Sequence, residues 1–253
     1  MTQTMISEPI AMLEPAGPYP IGNSARRRRF TVVDSIRELL HGAQRRWRRE
    51  RRRRKVGRAY DMALEIARCL PRQSRVLDVG CGNGFIAHHL SAMLGNPVTG
   101  IDLDQKSQAP IDYHRFDGTH FPVADNSFDG VLFCYVLHHA QDLAALFAEV
   151  RRVLRPGGLL VVYEDIPQLW WDRFVCWLHN AQWKGRTGPC TFRTETEWRV
   201  TFNAAGFEVV GDRLLRRMRN LAHPVCRRFF VLTLVHQPTD RRDNQSASFR
   251  TAL

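Results

Sequence analysis

The stretch VLDVGCGNG, Val76 to Gly84, decides the fold. An apolar, β-branched run leads into three glycines within five residues, Gly80, Gly82 and Gly84. This is the pattern of a buried strand that turns sharply into a helix and lets a ligand approach the backbone. Turns of this kind commonly hold phosphate on helix N–H groups. Here a carboxylate, Asp78, stands just before the turn and would repel an anion. The spacing also departs from the dinucleotide fingerprint: Gly80 and Gly82 fit, but the sixth position is Phe85. A glycine turn with an acid at its mouth suits a ligand with a positive centre.

Strand and helix patterns alternate on both sides of this turn. Strands are expected at 75–80, 98–103, 113–117, 128–136 and 158–166, with helices at about 84–94 and 141–154. Pro156-Gly157-Gly158 is expected to end the second helix and launch the next strand. Thr194-Glu-Thr-Glu197 is a capping-box pattern opening a helix to about 206. The last two strands, about 208–216 and 227–236, have no helix between them and should pair antiparallel. The expected fold is α/β: a doubly wound, mostly parallel sheet that binds ligands at the carboxyl ends of its strands.

Charge is concentrated in one segment. Residues 26–58 hold fourteen Arg and one Lys against Asp34, Glu38 and Glu50, a net +12 that equals the net charge of the entire chain. Val33, Ile36, Leu40, Ala43 and Trp47 recur at helical spacing, so residues 25–56 are expected as an Arg-rich amphipathic extension, helical over 31–55. A separate helix from Val56 should stop at Pro71. The segments 1–24 and 238–253 are expected to be disordered tails flanking a domain at 57–237. The basic stripe suits an anionic membrane surface better than a nucleic acid, because a bilayer would bury Val33, Ile36 and Leu40. The six cysteines, none in a Cys-x-x-Cys pair, fit a reducing cytoplasm, and no metal site is expected.

Five motifs in order resemble those of the class I S-adenosylmethionine-dependent methyltransferases, in the small-molecule, type 11-like subgroup. They are VLDVGCGNG, GIDLD (Gly100–Asp104), RFDG (Arg115–Gly118), FPVADNSFDGVLFCYVLHH (Phe121–His139) and RVLRPGG (Arg152–Gly158). The resemblance covers about residues 57–237 and implies a seven-stranded, Rossmann-like sheet with a reversed last strand. It implies S-adenosylmethionine as cofactor, whose sulfonium and ammonium groups suit Asp78. Gly80, Cys81, Gly82 and Gly84 would form the turn beneath it. Asp102, with Leu103 beside it, would hold the ribose hydroxyls. Asp117 and Gly118 would meet the adenine, and Cys134 and Tyr135 the methionine portion.

Methyl transfer is an in-line displacement that relies on alignment and exclusion of water, and needs a base only when the acceptor must lose a proton. His138, His139 and Glu164 are the candidates for that base. Strand four ends in FCYVLHH, not in the Asn/Asp-Pro-Pro-aromatic motif of base amino-group methylation. The segment 165–190 holds Trp170, Trp171, Trp177 and Trp183. Trp170, Trp171, Phe174 and Trp177 are expected to form a lid over a small apolar acceptor such as a quinone, isoprenoid, polyketide or lipid-like molecule. The other readings are an RNA methyltransferase using the Arg-rich arm and a non-catalytic cofactor-binding scaffold. The expected location is cytoplasmic, with a peripheral position on the membrane for the basic helix. The sequence leaves the oligomeric state open.

Overall fold

A computed structural model describes residues 32–103, 107–215 and 223–235. The expected tails at 1–24 and 238–253 lie outside the described residues. The chain divides into compact units at Arg49/Glu50, and the sheet belongs to the unit that begins at Glu50.

Seven strands form one sheet: β1 (Val76–Val79), β2 (Thr99–Asp102), β3 (Asp112–Arg115), β4 (Phe128–Cys134), β5 (Leu154–Asp165), β6 (Phe207–Leu215) and β7 (Arg227–Leu234). The order is β3-β2-β1-β4-β5-β7-β6. The first five strands pair in parallel, and β7 lies antiparallel between β5 and β6. The sheet is the expected doubly wound one, with the antiparallel pair of β6 and β7 at its far edge.

Among the described residues, five α-helices accompany it: α1 (Val32–Ala67), α2 (Phe85–Leu94), α3 (Leu143–Val153), α4 (Trp170–Thr187) and α5 (Glu195–Ala204). The alternation along each strand builds a core on either face of the sheet. Leu77, Val79, Val131, Phe133, Leu160 and Val162 pack with Phe147 of α3 and Trp198 and Phe202 of α5. Val76, Leu132, Val161 and Tyr163 pack with Ala63 and Ile66 of α1 and with Leu90 and Leu94 of α2. Local signals open two of the helices, the one at Thr194 as expected. Asp142 caps α3 by accepting from the Ala145 N–H at 2.9 Å, and the Thr194/Glu197 capping box opens α5.

Two boundaries differ from the sequence reading. The two N-terminal helices are one, Val32–Ala67, and it ends before Pro71. Gly57 lowers helix propensity by only about 1 kcal/mol and removes no hydrogen bond, so nothing between the two apolar faces stops the helix. Second, β5 starts at Leu154, and its Pro156-Gly157-Gly158 forms an irregularity within the strand, where the β4 register shifts between Phe128 and Gly130. The far end of β4 is tied by Asp129, which accepts from the Arg75 N–H and from Arg155, each at 2.8 Å.

Candidate active site

The carboxyl ends of β1, β2 and β4 open into one cavity of about 680 Å³. Asp78, Gly80, Cys81, Gly82, Asp102, Leu103, Asp117, Gly118, Cys134, Tyr135 and His139 all line it. Eleven of the expected residues, drawn from four segments, therefore meet at one place. Gly84 serves the turn from behind: it caps α2 at φ 73°, and its carbonyl accepts from His88 N–H at 2.9 Å.

The turn is built for close approach. Gly80, Gly82 and Gly84 all have positive φ. A Cβ on Gly80 would lie 2.5 Å from a methyl of Val136, so only glycine fits there without displacing that wall. The N–H groups of Gly80 and Cys81 both donate to the Ile101 carbonyl, at 2.8 and 3.1 Å, and Gly82 N–H donates to the Asp102 carboxylate at 2.6 Å. The turn is thus tied to the end of β2, which explains why the acid at position 102 and the glycines act as one unit.

Asp78 is the most unusual group in the cavity. It is 1 % exposed, and neither carboxylate oxygen has a hydrogen-bond partner. Burial raises its pKa to about 7, and the nearby Asp102 carboxylate adds to the rise. An unpartnered buried carboxylate is costly unless a cation or donor arrives. Asp117 is the opposite case. Its Oδ1 accepts from Thr119 N–H, Thr119 hydroxyl and His120 N–H at 2.8–2.9 Å, which hold its pKa down to about 2. Burial raises the thiols of Cys81 and Cys134 well above their usual range, so neither is a nucleophile. Tyr135 has φ 63° and packs under the Arg227 guanidinium, 5.6 Å from the ring centre. This strained backbone fits a contact made by the main chain at the end of β4.

The catalytic candidates separate. His139 lines the cavity; His138 and Glu164 do not. Both are buried, at 1 % and 0 % exposure, and the Glu164 carboxylate is 2.7 Å from His138 Nδ1 and 2.7 Å from the donating Leu137 N–H. Burial lowers the His138 pKa, but the Glu164 charge and hydrogen bond outweigh it and the net shift is upward. His139 is pushed down to about 3 by burial and by the neighbouring His138 and His179. A group so weakly basic is a poor proton acceptor at neutral pH.

The expected lid also moves. Trp170, Trp171, Phe174 and Trp177 do not line the cavity; they are exposed on α4, while Trp183, one and a half turns further on, does line it. The inward face of α4 is Asp172, Val175 and Cys176. Asp172 accepts from the N–H groups of Gln168 and Leu169 at 3.0 and 3.1 Å and caps the helix start; Val175 and Cys176 pack with Val225 and Phe192, which leaves the four aromatic rings on the outer side. Sequence reasoning missed Trp183 as the cavity residue, because a helix apolar on most sides has no periodic face to read. It also missed Val136 and His179, for which no local signal exists.

A family model described as a methyltransferase domain matches residues 77–162, the span from β1 to β5. Over this span the chain resembles the class I methyltransferases. The cofactor of that family is S-adenosylmethionine. Among curated relatives, the sterol 24-C-methyltransferase ERG6B of Gibberella zeae is 36 % identical over 103 residues, covering 36 % of this chain and 27 % of that protein. The ubiquinone/menaquinone biosynthesis C-methyltransferase UbiE of Desulfotalea psychrophila is 32 % identical over 149 residues, covering 55 % and 54 %. This chain thus spans about a quarter to a half of the curated relatives it matches. Among solved structures, a Bacillus halodurans protein described as a methyltransferase aligns with a TM-score of 0.54 at 17 % identity, over 68 % of this chain and 97 % of that one. The [4+2]-cyclase SpnF aligns at 0.55 with 19 % identity, over 71 % and 82 %. These two share the fold, and their different titles show that the fold alone does not name the reaction.

Proposed function

We propose that this chain transfers the methyl group of S-adenosylmethionine to a small apolar acceptor. The observation that carries the reading is Asp78, a buried, unpartnered carboxylate beneath a turn that only glycine can make. The family's cofactor would bring the missing positive charge. Its sulfonium supplies an activated methyl group when bound. Asp78 would face the positive methionine end, Asp102 would accept from the ribose hydroxyls, and Asp117, held as an anion by its own turn, would present its remaining oxygen to the adenine side. Cys134 and Tyr135 would contact the methionine portion through the backbone. Phe116, Leu146 and Trp183 give the same cavity its apolar wall. Water exclusion and alignment then supply the acceleration, with no strong base required. The relatives named for sterols and quinones support an apolar acceptor.

Calorimetry tests this directly. Asp102→Ala removes a charge-assisted acceptor, a loss of roughly 1.5–3 kcal/mol, so cofactor affinity should fall by about one to two orders of magnitude while the melting temperature stays within a few degrees. No heat from the native chain with either S-adenosylmethionine or its demethylated product would end the reading.

The basic helix suggests a place of work. In α1, Leu39, Leu40 and Trp47 are 73 %, 64 % and 60 % exposed among the arginines; the side chains of Val33 and Ile36 lie outside the described residues. No described helix is long and apolar enough to cross a membrane. Such a helix suits the surface of an anionic bilayer, which would cover both kinds of side chain. The chain should therefore sediment with anionic liposomes at moderate salt, and Leu40→Asp should abolish the salt-resistant part. Release from liposomes at that salt, together with tight retention of a defined RNA, would favour a nucleic-acid substrate instead.

A further inference from the structure

Beside the cavity, histidines from two distant segments converge. His138 and His139 follow β4 on a single 3-10 turn, and His179 comes from the middle of α4. One ring nitrogen from each lies within 4.8 Å of the other two. His139 Nε2 and His179 Nε2 are 3.4 Å apart. Two nitrogens bound to one tetrahedral zinc ion, at about 2.0–2.1 Å each, are separated by about 3.3–3.4 Å.

On two of the three histidines the other ring nitrogen is already occupied in the way a metal site requires. Glu164 holds His138 Nδ1 at 2.7 Å, so Nε2 is the atom turned toward the cluster. That Nε2 is buried and has no hydrogen-bond partner, on a residue only 1 % exposed. Cys190 Sγ lies 3.2 Å from His139 Nδ1 and so leaves Nε2 to face His179. A carboxylate on the far nitrogen of a ligating histidine fixes its tautomer and strengthens it as a ligand.

The cluster is also held in place. Thr191 N–H donates to the His138 carbonyl at 2.7 Å, and Cys190 N–H to the Asn180 side chain at 2.8 Å. The Phe192 ring stacks on His138 with centres 4.7 Å apart. These contacts clamp the 190–192 segment across both histidine-bearing elements.

We propose that His138, His139 and His179 form a three-nitrogen site for a divalent cation of the zinc class, with Glu164 and Cys190 as the outer partners. Three protein ligands leave a fourth position. Because His139 lines the cavity, that position faces the acceptor side and takes an oxygen from solvent or from the acceptor. The role for the acceptor rests on the methyltransferase reading; the metal site does not. The lack of paired cysteines predicts no metal from the sequence. Histidines 40 residues apart give no spacing to read.

The test uses the full chain, stripped with chelator and titrated with Co²⁺. One equivalent should bind with the visible d–d absorption of a low-coordinate site, and Zn²⁺ should displace it. His179→Ala and His139→Ala should each weaken binding at least tenfold, whereas Asp102→Ala should leave it intact. His138→Ala is avoided, since it would strand Glu164 in the core. Absence of a d–d spectrum, or an unchanged titration in His179→Ala, overturns the proposal. A sulfur-to-cobalt band that survives His179→Ala would place the metal on cysteines elsewhere and overturn it too. Calorimetry with S-adenosylmethionine on the same samples separates the two readings: cofactor binding lost with metal retained removes the methyltransferase and leaves the site.

Discussion

Asp78→Asn should stabilise the ligand-free protein at pH 8 while weakening its hold on S-adenosylmethionine. The carboxyl is buried without a partner, and its pKa rises from 3.8 to about 7 on folding. A group that binds its proton more tightly when folded opposes folding as pH rises. Below about pH 4 the group is protonated in both states and costs nothing. Between about pH 4 and 7 the folded state holds a proton that the unfolded state has lost, and the penalty grows. Above pH 7 it is complete, with a ceiling of about 4 kcal/mol for a rise of some three units. Asn carries no charge but remains a buried amide, so the net gain at pH 8 should be on the order of 2 kcal/mol. Urea denaturation of both proteins from pH 4 to 8 measures it. The curves should converge at the acid end and separate above neutrality; parallel curves would show that folding leaves the Asp78 pKa unshifted. Cofactor affinity should fall at least tenfold, because the positive centre loses its counter-charge. The site thus trades stability for binding, as functional sites commonly do.

The second large effect is expected at Glu164. Its carboxylate satisfies the Leu137 N–H and His138 Nδ1 in a region closed to solvent. Glu164→Ala would leave both without a partner. Removing one member of a buried pair costs about 3–5 kcal/mol, a large share of the 5–15 kcal/mol that holds a domain together. Glu164→Gln keeps an acceptor for Leu137 and should cost less than half as much. Denaturation midpoints for the two variants give the comparison. An Ala variant within 1 kcal/mol of the native chain would mean that water reaches the pair and that Glu164 does not anchor the turn after β4.

The fold was legible because its signals are local. Strand alternation, the glycine turn at 80–84 and the Thr194/Glu197 box each lie within a few residues, and each points to the same sheet. The convergence of the glycine turn and the strand ends on one cavity was legible for a related reason. In a parallel sheet the ends of β1, β2 and β4 meet by topology, so residues that follow those strands come together whatever the loops do.

What the sequence could not supply is anything that depends on which face of α4 turns inward. Trp170, Trp171, Phe174, Trp177 and Trp183 are all large and apolar, so periodicity offers no preferred side, and only the packing of Val175 and Cys176 against Val225 and Phe192 leaves the first four facing outward. The continuity of α1 was hidden likewise, because two apolar faces out of phase look like two helices until their backbone is seen unbroken. The sequence by itself determined the sheet, the turn and the acid that awaits a positive ligand, since these follow from short-range pattern and chain topology. Only the tertiary structure decided that Trp183 faces the cavity, that Glu164 is a buried anchor, and that His179 meets His138 and His139. Those arrangements arise from packing between segments far apart in the sequence, where the energy of burial, not the local code, selects the neighbours.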